Sequence, residues 1–366
     1  MNFVYQSNPQ RVVFAVGARS RAGEELDRLG ISRAMIITTP PQADTAATFA
    51  RLVGDRAGIV YPGAQMHTPT SVTEAALTAV SSVKADGILA IGGGSAIGLS
   101  KAIALRTDLP QLVIPTTFAG SEMTPILGEV ERGVKKTLRS PKVLPETIIY
   151  DPELVATLPL HVAGPSAMNA MAHAVDALCA ADANPVSSLL AEESIRALGR
   201  AIPRLLADPN EAAWADALYG AWLAGTCLGT VAMGIHHKIC HALGGAFDLS
   251  HADVHCIMLP YTAAFNQNTS PDAMRSVARA LDSDDASSAL YGLMLKVESQ
   301  SSLKALGLTR AALEKATDLA MENPYGHPRQ VTRDEILQIL LAAYDGKRPF
   351  VQPGLDNPAD AGARHG

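Results

Sequence analysis

Over its first 150 residues the chain alternates short β-branched and aliphatic runs with longer amphipathic stretches. Candidate strands fall at residues 11–16, 34–38, 58–61, 87–91, 111–114 and 147–150. Between them, residues 20–29 read as a helix stopped by Gly30. Residues 70–84 read as another, with Thr70 or Ser71 as its N-cap. Such β/α alternation predicts a parallel sheet covered by helices.

After Asp151-Pro152 the pattern changes. From about His161 to Tyr344 the chain is rich in Ala, Leu and Met, and no alternating strand pattern appears. Residues 187–206 and 212–230 are long helical patterns. The predicted fold is a Rossmann-like α/β domain (1–158) followed by an all-α catalytic domain (159–350), with a ligand cleft between them. Residues 351–366, rich in Pro, Gly, Ala and Asp, are expected to form a flexible tail.

Bulk composition narrows the function classes. A chain of 366 residues exceeds the usual size of one core, so two domains are expected. The net charge of −6 offers no electrostatic footprint for nucleic acid. No apolar run approaches the ~18 residues of a membrane span, and the N-terminus lacks the pattern of a signal peptide. Cys179, Cys227, Cys240 and Cys256 have no CxxC spacing and read as reduced core thiols. A cytoplasmic location is expected.

The glycine run Gly92-Gly93-Gly94-Ser95 links the fourth strand to a helix at 96–105. Glycines let the backbone approach a pyrophosphate, and free N–H groups at a helix start favour an anion. Ile97 and Leu99 exclude the strict dinucleotide fingerprint and the P-loop respectively. A tight turn with close helix–strand packing is the plainer alternative. The next strand ends in Pro-Thr116-Thr117-Phe-Ala-Gly-Ser121-Glu-Met-Thr124, whose hydroxyls are well placed to touch a nucleotide. An ordinary helix cap would use the same residues. Thr38 closes the second strand, and no acidic residue follows until Asp44, so a 2′-phosphate is not repelled. Both NADH and NADPH fit this pattern.

Five of the ten histidines lie between Met233 and Pro260: His236, His237, His241, His251 and His255. His237 and His241 share a helix face, and Leu243-Gly244-Gly245 would end that helix and return the chain with His251. Imidazole is both a proton carrier near neutrality and a common metal ligand. The plainer reading is a polar helix face beside an unrelated loop histidine.

Taken in order, GGGS, PTTFAGSE, Asn169-Ala-Met-Ala-His173 and the histidine stretch resemble the iron-containing alcohol dehydrogenase and dehydroquinate synthase-like superfamily. The resemblance covers roughly residues 5–350 and is closest to the maleylacetate reductases. It implies a homodimer that reduces the C=C bond of maleylacetate to 3-oxoadipate with NADH or NADPH, in bacterial degradation of aromatic compounds. The alternative within the fold is a metal-dependent alcohol or polyol dehydrogenase. A lyase using NAD without net turnover would need a denser set of Lys and Arg, and a non-catalytic nucleotide-binding module would leave the histidines unexplained.

Two departures bear on the metal. The metal-dependent members carry an Asp where this chain has Gly98, though Lys101 is kept, and the PTTFAGSE loop is one residue short. Their metal is held by an Asp and three His, at positions occupied here by Asn169, His173, His237 and His251. An amide neutralises a divalent ion less than a carboxylate, so affinity should fall. Three histidines alone can still hold zinc. The reading therefore favours no metal; any metal present would sit on His173, His237 and His251. The histidines then act as donors and proton carriers: His173, His237, His241 and His251 are the catalytic candidates, with His241 or His237 as the proton donor. A dicarboxylate substrate implies donors lining the cleft. The candidates are His67, Lys135, Arg139 and Asn169, with Lys136, Lys238 and Arg329 behind them. The expected nucleotide contacts are Thr38, Gly92, Gly93, Gly94, Ser95, Thr116, Thr117, Ser121 and Thr124.

Overall fold

The computed structural model describes residues 3–297, 300–322 and 329–349. The expected tail at 351–366 and His327 lie outside the described residues. Strands β1 (Arg11–Phe14), β2 (Ala34–Ile37), β3 (Ala57–Tyr61), β4 (Gly87–Gly92), β5 (Gln111–Pro115) and β8 (Thr147–Tyr150) form one parallel sheet in the order β1-β8-β5-β4-β2-β3. Helices α1 (Ala22–Arg28), α2 (Ala43–Val53), α3 (Thr70–Val83) and α4 (Gly94–Thr107) cover it. The central strands are apolar on both faces, as a sheet covered on both sides requires.

The helical half holds α5 (Pro152–Val155), α6 (Leu160–Leu178), α7 (Pro185–Ala207), α8 (Glu211–Thr230), α9 (Ile235–Phe247), α10 (His251–Thr269), α11 (Pro271–Ala280), α12 (Ala286–Lys296), α13 (Arg310–Met321) and α14 (Arg333–Asp345). Helix α6 is buried almost throughout and packs against α7, α8 and α10. All four cysteines are buried free thiols. No single described helix is long and apolar enough to cross a membrane, and the bent pair α8–α9 that meets the test by composition is largely core.

Three local expectations are corrected. Residues 126–139, unassigned from the pattern, form a hairpin of β6 (Ile126–Glu131) and β7 (Val134–Arg139), turning at Arg132-Gly133, both with positive φ. Pro69, not Thr70 or Ser71, precedes α3, and no side chain caps it. Gly244-Gly245 does not end the histidine helix, which runs on to Phe247 before Asp248 turns left-handed. At mid-helix these glycines cost about 1 kcal/mol each relative to alanine, a cost the packing of Ile235, Ile239 and Leu243 into the second helical core absorbs.

The loop after β5 belongs to both halves. Phe118 and Met123 lie in the core shared with α6, α7 and α8, and the Phe118 ring stands 6.4 Å from that of Trp214. Gly120 and Gly225 meet backbone to backbone; a Cβ on Gly225 would lie 2.9 Å from the Gly120 carbonyl oxygen. A second close approach explains Gly98. A Cβ there would lie 2.4 Å from Thr68 Oγ1, and Thr68 is buried with a positive φ of 47°. The space that an aspartate side chain would need is filled by that threonine. Gly98→Ala should therefore destabilise the fold by about 1–3 kcal/mol through overpacking, despite a helix-propensity gain of about 1 kcal/mol. Adding Thr68→Ala should restore stability, as read by thermal unfolding; equal melting of wild type and Gly98→Ala would refute the coupling.

Candidate active site

The glycine turn sits where β4 feeds α4. Gly92 has φ 146°, and a Cβ on Gly93 would lie 2.8 Å from the Thr117 side chain. Gly94 is exposed with open space above it, and no side chain caps α4. The first N–H groups of a fourteen-residue helix thus face outward, bordered by Ser95 and Thr117. This cradle fits a dinucleotide pyrophosphate, which would take the hydrogen bonds an absent cap leaves open.

Other residues expected at the nucleotide turn out to brace the cradle. Thr38 is fully buried and its hydroxyl donates to the Ile91 carbonyl, tying β2 to β4. Thr116 accepts a hydrogen bond from Gln42, a residue the sequence reading passed over. Thr124 and the Ser121 carbonyl are held by Lys101, whose ammonium also reaches the carbonyl of Ile126. Burial pulls the Lys101 pKa down to about 7 against the opposing charge of Glu122. This lysine pins the loop from within.

Helix α6 presents Asn169, His173 and Asp176 at i, i+4 and i+7, one buried face directed at α9. The His173 side chain also borders the nucleotide loop: a Cβ on Gly120 would lie 3.6 Å from its Cδ2. His237 Nδ1 lies 2.7 Å from Asp176 Oδ2, and His237 Nε2 lies 2.7 Å from His173 Nδ1. The carboxylate can only accept, so Nδ1 of His237 carries the proton. With His237 neutral, its Nε2 accepts from His173 Nδ1–H, leaving His173 Nε2 as a lone pair facing Asn169 Nδ2 at 3.5 Å. Burial and the neighbouring histidines push His173 well below the usual histidine range. Burial alone would raise Asp176, but the hydrogen bond and charge of His237 outweigh it and hold the carboxyl low. The Gly234 N–H adds a 2.7 Å bond to the same oxygen.

A second chain runs alongside. His236 Nδ1 lies 2.9 Å from Thr262 Oγ1, and His236 Nε2 lies 3.0 Å from His255 Nδ1. All four imidazoles of these two chains are buried, whereas His241 and His251 are exposed. The ring centroids of His237 and His241 stand 6.1 Å apart. Asp176, His236, His255 and Thr262 were not among the predicted catalytic residues. The i, i+4, i+7 spacing of α6 was the available signal for Asp176.

The three histidines that would share a metal, were one present, do not form one group. His173 and His237 are spent on each other, and His251 groups instead with His241 and His255. Asn169 brings no charge, and its Oδ1 is buried with no hydrogen-bond partner among the described residues. This donor set, arranged so, does not fit a divalent ion on His173, His237 and His251. Of the substrate candidates, Asn169 lies beside His173. His67 is exposed in the turn before α3, with φ 62°. Arg139 donates to the Gly229 carbonyl at 2.7 Å, tying the hairpin to the end of α8. Lys136 pairs with Glu131 and Arg329 with Glu335, both at the surface. The Lys135 side chain lies outside the described residues.

Residues 9–152 match the family model of iron-containing alcohol dehydrogenases, and residues 164–344 match that family's C-terminal model. A maleylacetate reductase from Burkholderia cepacia is 48% identical over 348 residues, spanning 95% of this chain and 99% of that protein. One from Sphingobium indicum is 46% identical over 351 residues, spanning 96% and 99%. The crystal structure of maleylacetate reductase from Agrobacterium tumefaciens superposes with a TM-score of 0.93 at 45% identity, covering 95% of this chain and all of that one. The chain belongs to the iron-containing alcohol dehydrogenase family, on the branch of the maleylacetate reductases.

Proposed function

We propose that this oxidoreductase reduces the C=C bond of maleylacetate to 3-oxoadipate with NADH or NADPH, at a site that needs no metal. The single observation that carries the metal-free reading is the Asp176–His237–His173 chain, which uses the family's ligand atoms as hydrogen-bonding groups. The close relatives support the substrate. The same resemblance supports a cytoplasmic homodimer acting in bacterial breakdown of aromatic compounds.

The reduction adds one hydride and one proton across the double bond. Gly93, Gly94 and Ser95 would hold the pyrophosphate of a reduced nicotinamide dinucleotide, which would supply the hydride. Charge then develops on the enolate oxygen conjugated with the alkene. A proton on His173 Nε2 makes that atom a donor to the oxygen. The positive charge is shared with His237 and so comes to rest beside Asp176, already ionised. The His173–His237 pair must take up one proton to make this donor, and once made, a donor fixed in a buried site is worth far more than one in water. His241, exposed to solvent, is the group that protonates the carbon and is reprotonated from water. Asn169, beside His173, is the residue proposed to receive a substrate carboxylate.

The reading is tested by following NADH oxidation with freshly prepared maleylacetate before and after exhaustive chelation. Full activity after chelation is expected; loss on chelation and recovery with zinc or iron would overturn the metal-free site. Asp176→Asn should lower kcat by about 10²-fold or more, the scale for losing one preorganised donor, with the KM for NADH unchanged. Matching changes in both constants would reduce Asp176 to a structural role. Gly94→Ala adds a methyl where nothing lies within 4 Å, so thermal stability should hold. Its NADH dissociation constant, read by fluorescence titration, should rise about tenfold because the methyl occupies the phosphate cradle. Unchanged NADH affinity would place the dinucleotide elsewhere.

A further inference from the structure

We infer that residues 121–126 are built as a cage for a monovalent cation of ammonium size, that Lys101 supplies this cation, and that its charge rather than its tether keeps the nucleotide loop in binding shape. The last step rests on the proposed seat of the dinucleotide at Gly93, Gly94 and Ser95. Lys101 is buried and reaches from α4 into the turn after β5. Its Nζ lies 2.5 Å from the Ser121 carbonyl oxygen, 2.7 Å from that of Thr124, 2.9 Å from that of Ile126 and 3.0 Å from Thr124 Oγ1.

All four oxygens face the nitrogen as acceptors. The Thr124 hydroxyl spends its own proton on the Ser121 carbonyl at 3.0 Å, so it too turns lone pairs inward. An ammonium has three N–H groups for these four oxygens. A neutral amine has two, and its own lone pair would face an acceptor. Burial draws Lys101 toward that neutral form, to about 7, with the charge of Glu122 opposing. The cage therefore matches the cation and mismatches the amine. Glu122 is buried nearby, but its Oε1 takes the Tyr150 hydroxyl at 2.8 Å and its Oε2 has no hydrogen-bond partner among the described residues. The positive charge is thus met at contact by carbonyl and hydroxyl dipoles alone, the way backbone oxygens replace an ion's water.

Carbonyl dipoles aimed at one point repel each other unless a cation sits between them. Without the charge the turn would open. The same turn carries Gly120, which meets Gly225 backbone to backbone, and it follows Thr117, whose side chain borders Gly93. Opening it would move one wall of the phosphate cradle. Ser121 and Ile126 are half-buried, which gives a small ion from solvent a way into the cage.

Lys101→Ala removes the charge and leaves the oxygens in place. Its NADH dissociation constant, read by fluorescence titration, should rise about tenfold or more, and its melting temperature should fall. Ammonium or methylammonium chloride should bring both back toward wild type. Choline chloride at the same ionic strength, with a cation too bulky for the cage and without N–H groups, should not. Lys101→Met, nearly as long as lysine but uncharged, should stay impaired in every salt. If Lys101→Ala folds only in part, the gain in folded fraction with ammonium over choline, read by circular dichroism, is the same test. The inference is overturned if ammonium does no more than choline or if Lys101→Met matches wild type. It is overturned too if Lys101→Ala binds NADH as wild type does while Gly94→Ala binds it weakly. Melting is read without nucleotide or turnover, so a failed rescue leaves the reductase reading standing, and a dinucleotide seated elsewhere leaves the cage standing.

Discussion

Six imidazoles and one carboxylate share the seam between α6, α9 and α10, and four of the rings are shut away from water. A buried ring nitrogen left without a partner is costly. That constraint orders the whole site. A neutral ring that donates with one nitrogen can only accept with the other, so a single fixed acceptor sets every ring beyond it. Asp176 sets the direction of His237 and His173, and Thr262 sets that of His236 and His255. Each chain ends in a lone pair whose direction is decided several ångströms away. The first ends beside the nucleotide loop and the second toward the exposed histidines.

Positioning these ends requires the α/β half and the helical half to act as one body. The loop after β5 does this by surrendering its apolar residues to the helical core, with Phe118 and Met123 buried there. Burying an aromatic side chain of this size contributes roughly 2–3 kcal/mol. Glycine pairs permit the approach, and Lys101 ties the loop to α4 from inside. The glycine cradle at α4 and the histidine end at α6 are therefore held at a set separation by packing.

Much of this arrangement was legible in the chain. Strand positions followed from apolar runs, and all six predicted strands occur, because a strand covered on both faces has little compositional freedom. The β6–β7 hairpin was not legible: its exposed strand carries Lys, Thr and Arg, which give no alternating apolar face. The histidine cluster was visible by number and spacing, yet the pairings within it were not. Whether His251 joins His173 or His255 depends on how α9 and α10 cross, a tertiary matter with no local signal. Likewise, Thr38 and Thr124 have the right chemistry for a nucleotide, but burial commits both hydroxyls to the protein. Asp176 was overlooked because one acidic residue in an Ala-rich helix resembles any other until its partner is seen.

The contact between Gly98 and Thr68 bears on which substitutions the chain can accept. Position 98 is glycine, and a threonine from the turn before α3 occupies the volume that a side chain there would need. Starting from the present chain, an aspartate at 98 collides with the threonine, whereas shrinking the threonine first leaves a buried hole. Each order of substitution passes through an impaired intermediate. A change at either position alone is thus made at a loss, so the glycine and the threonine constrain each other through this one contact.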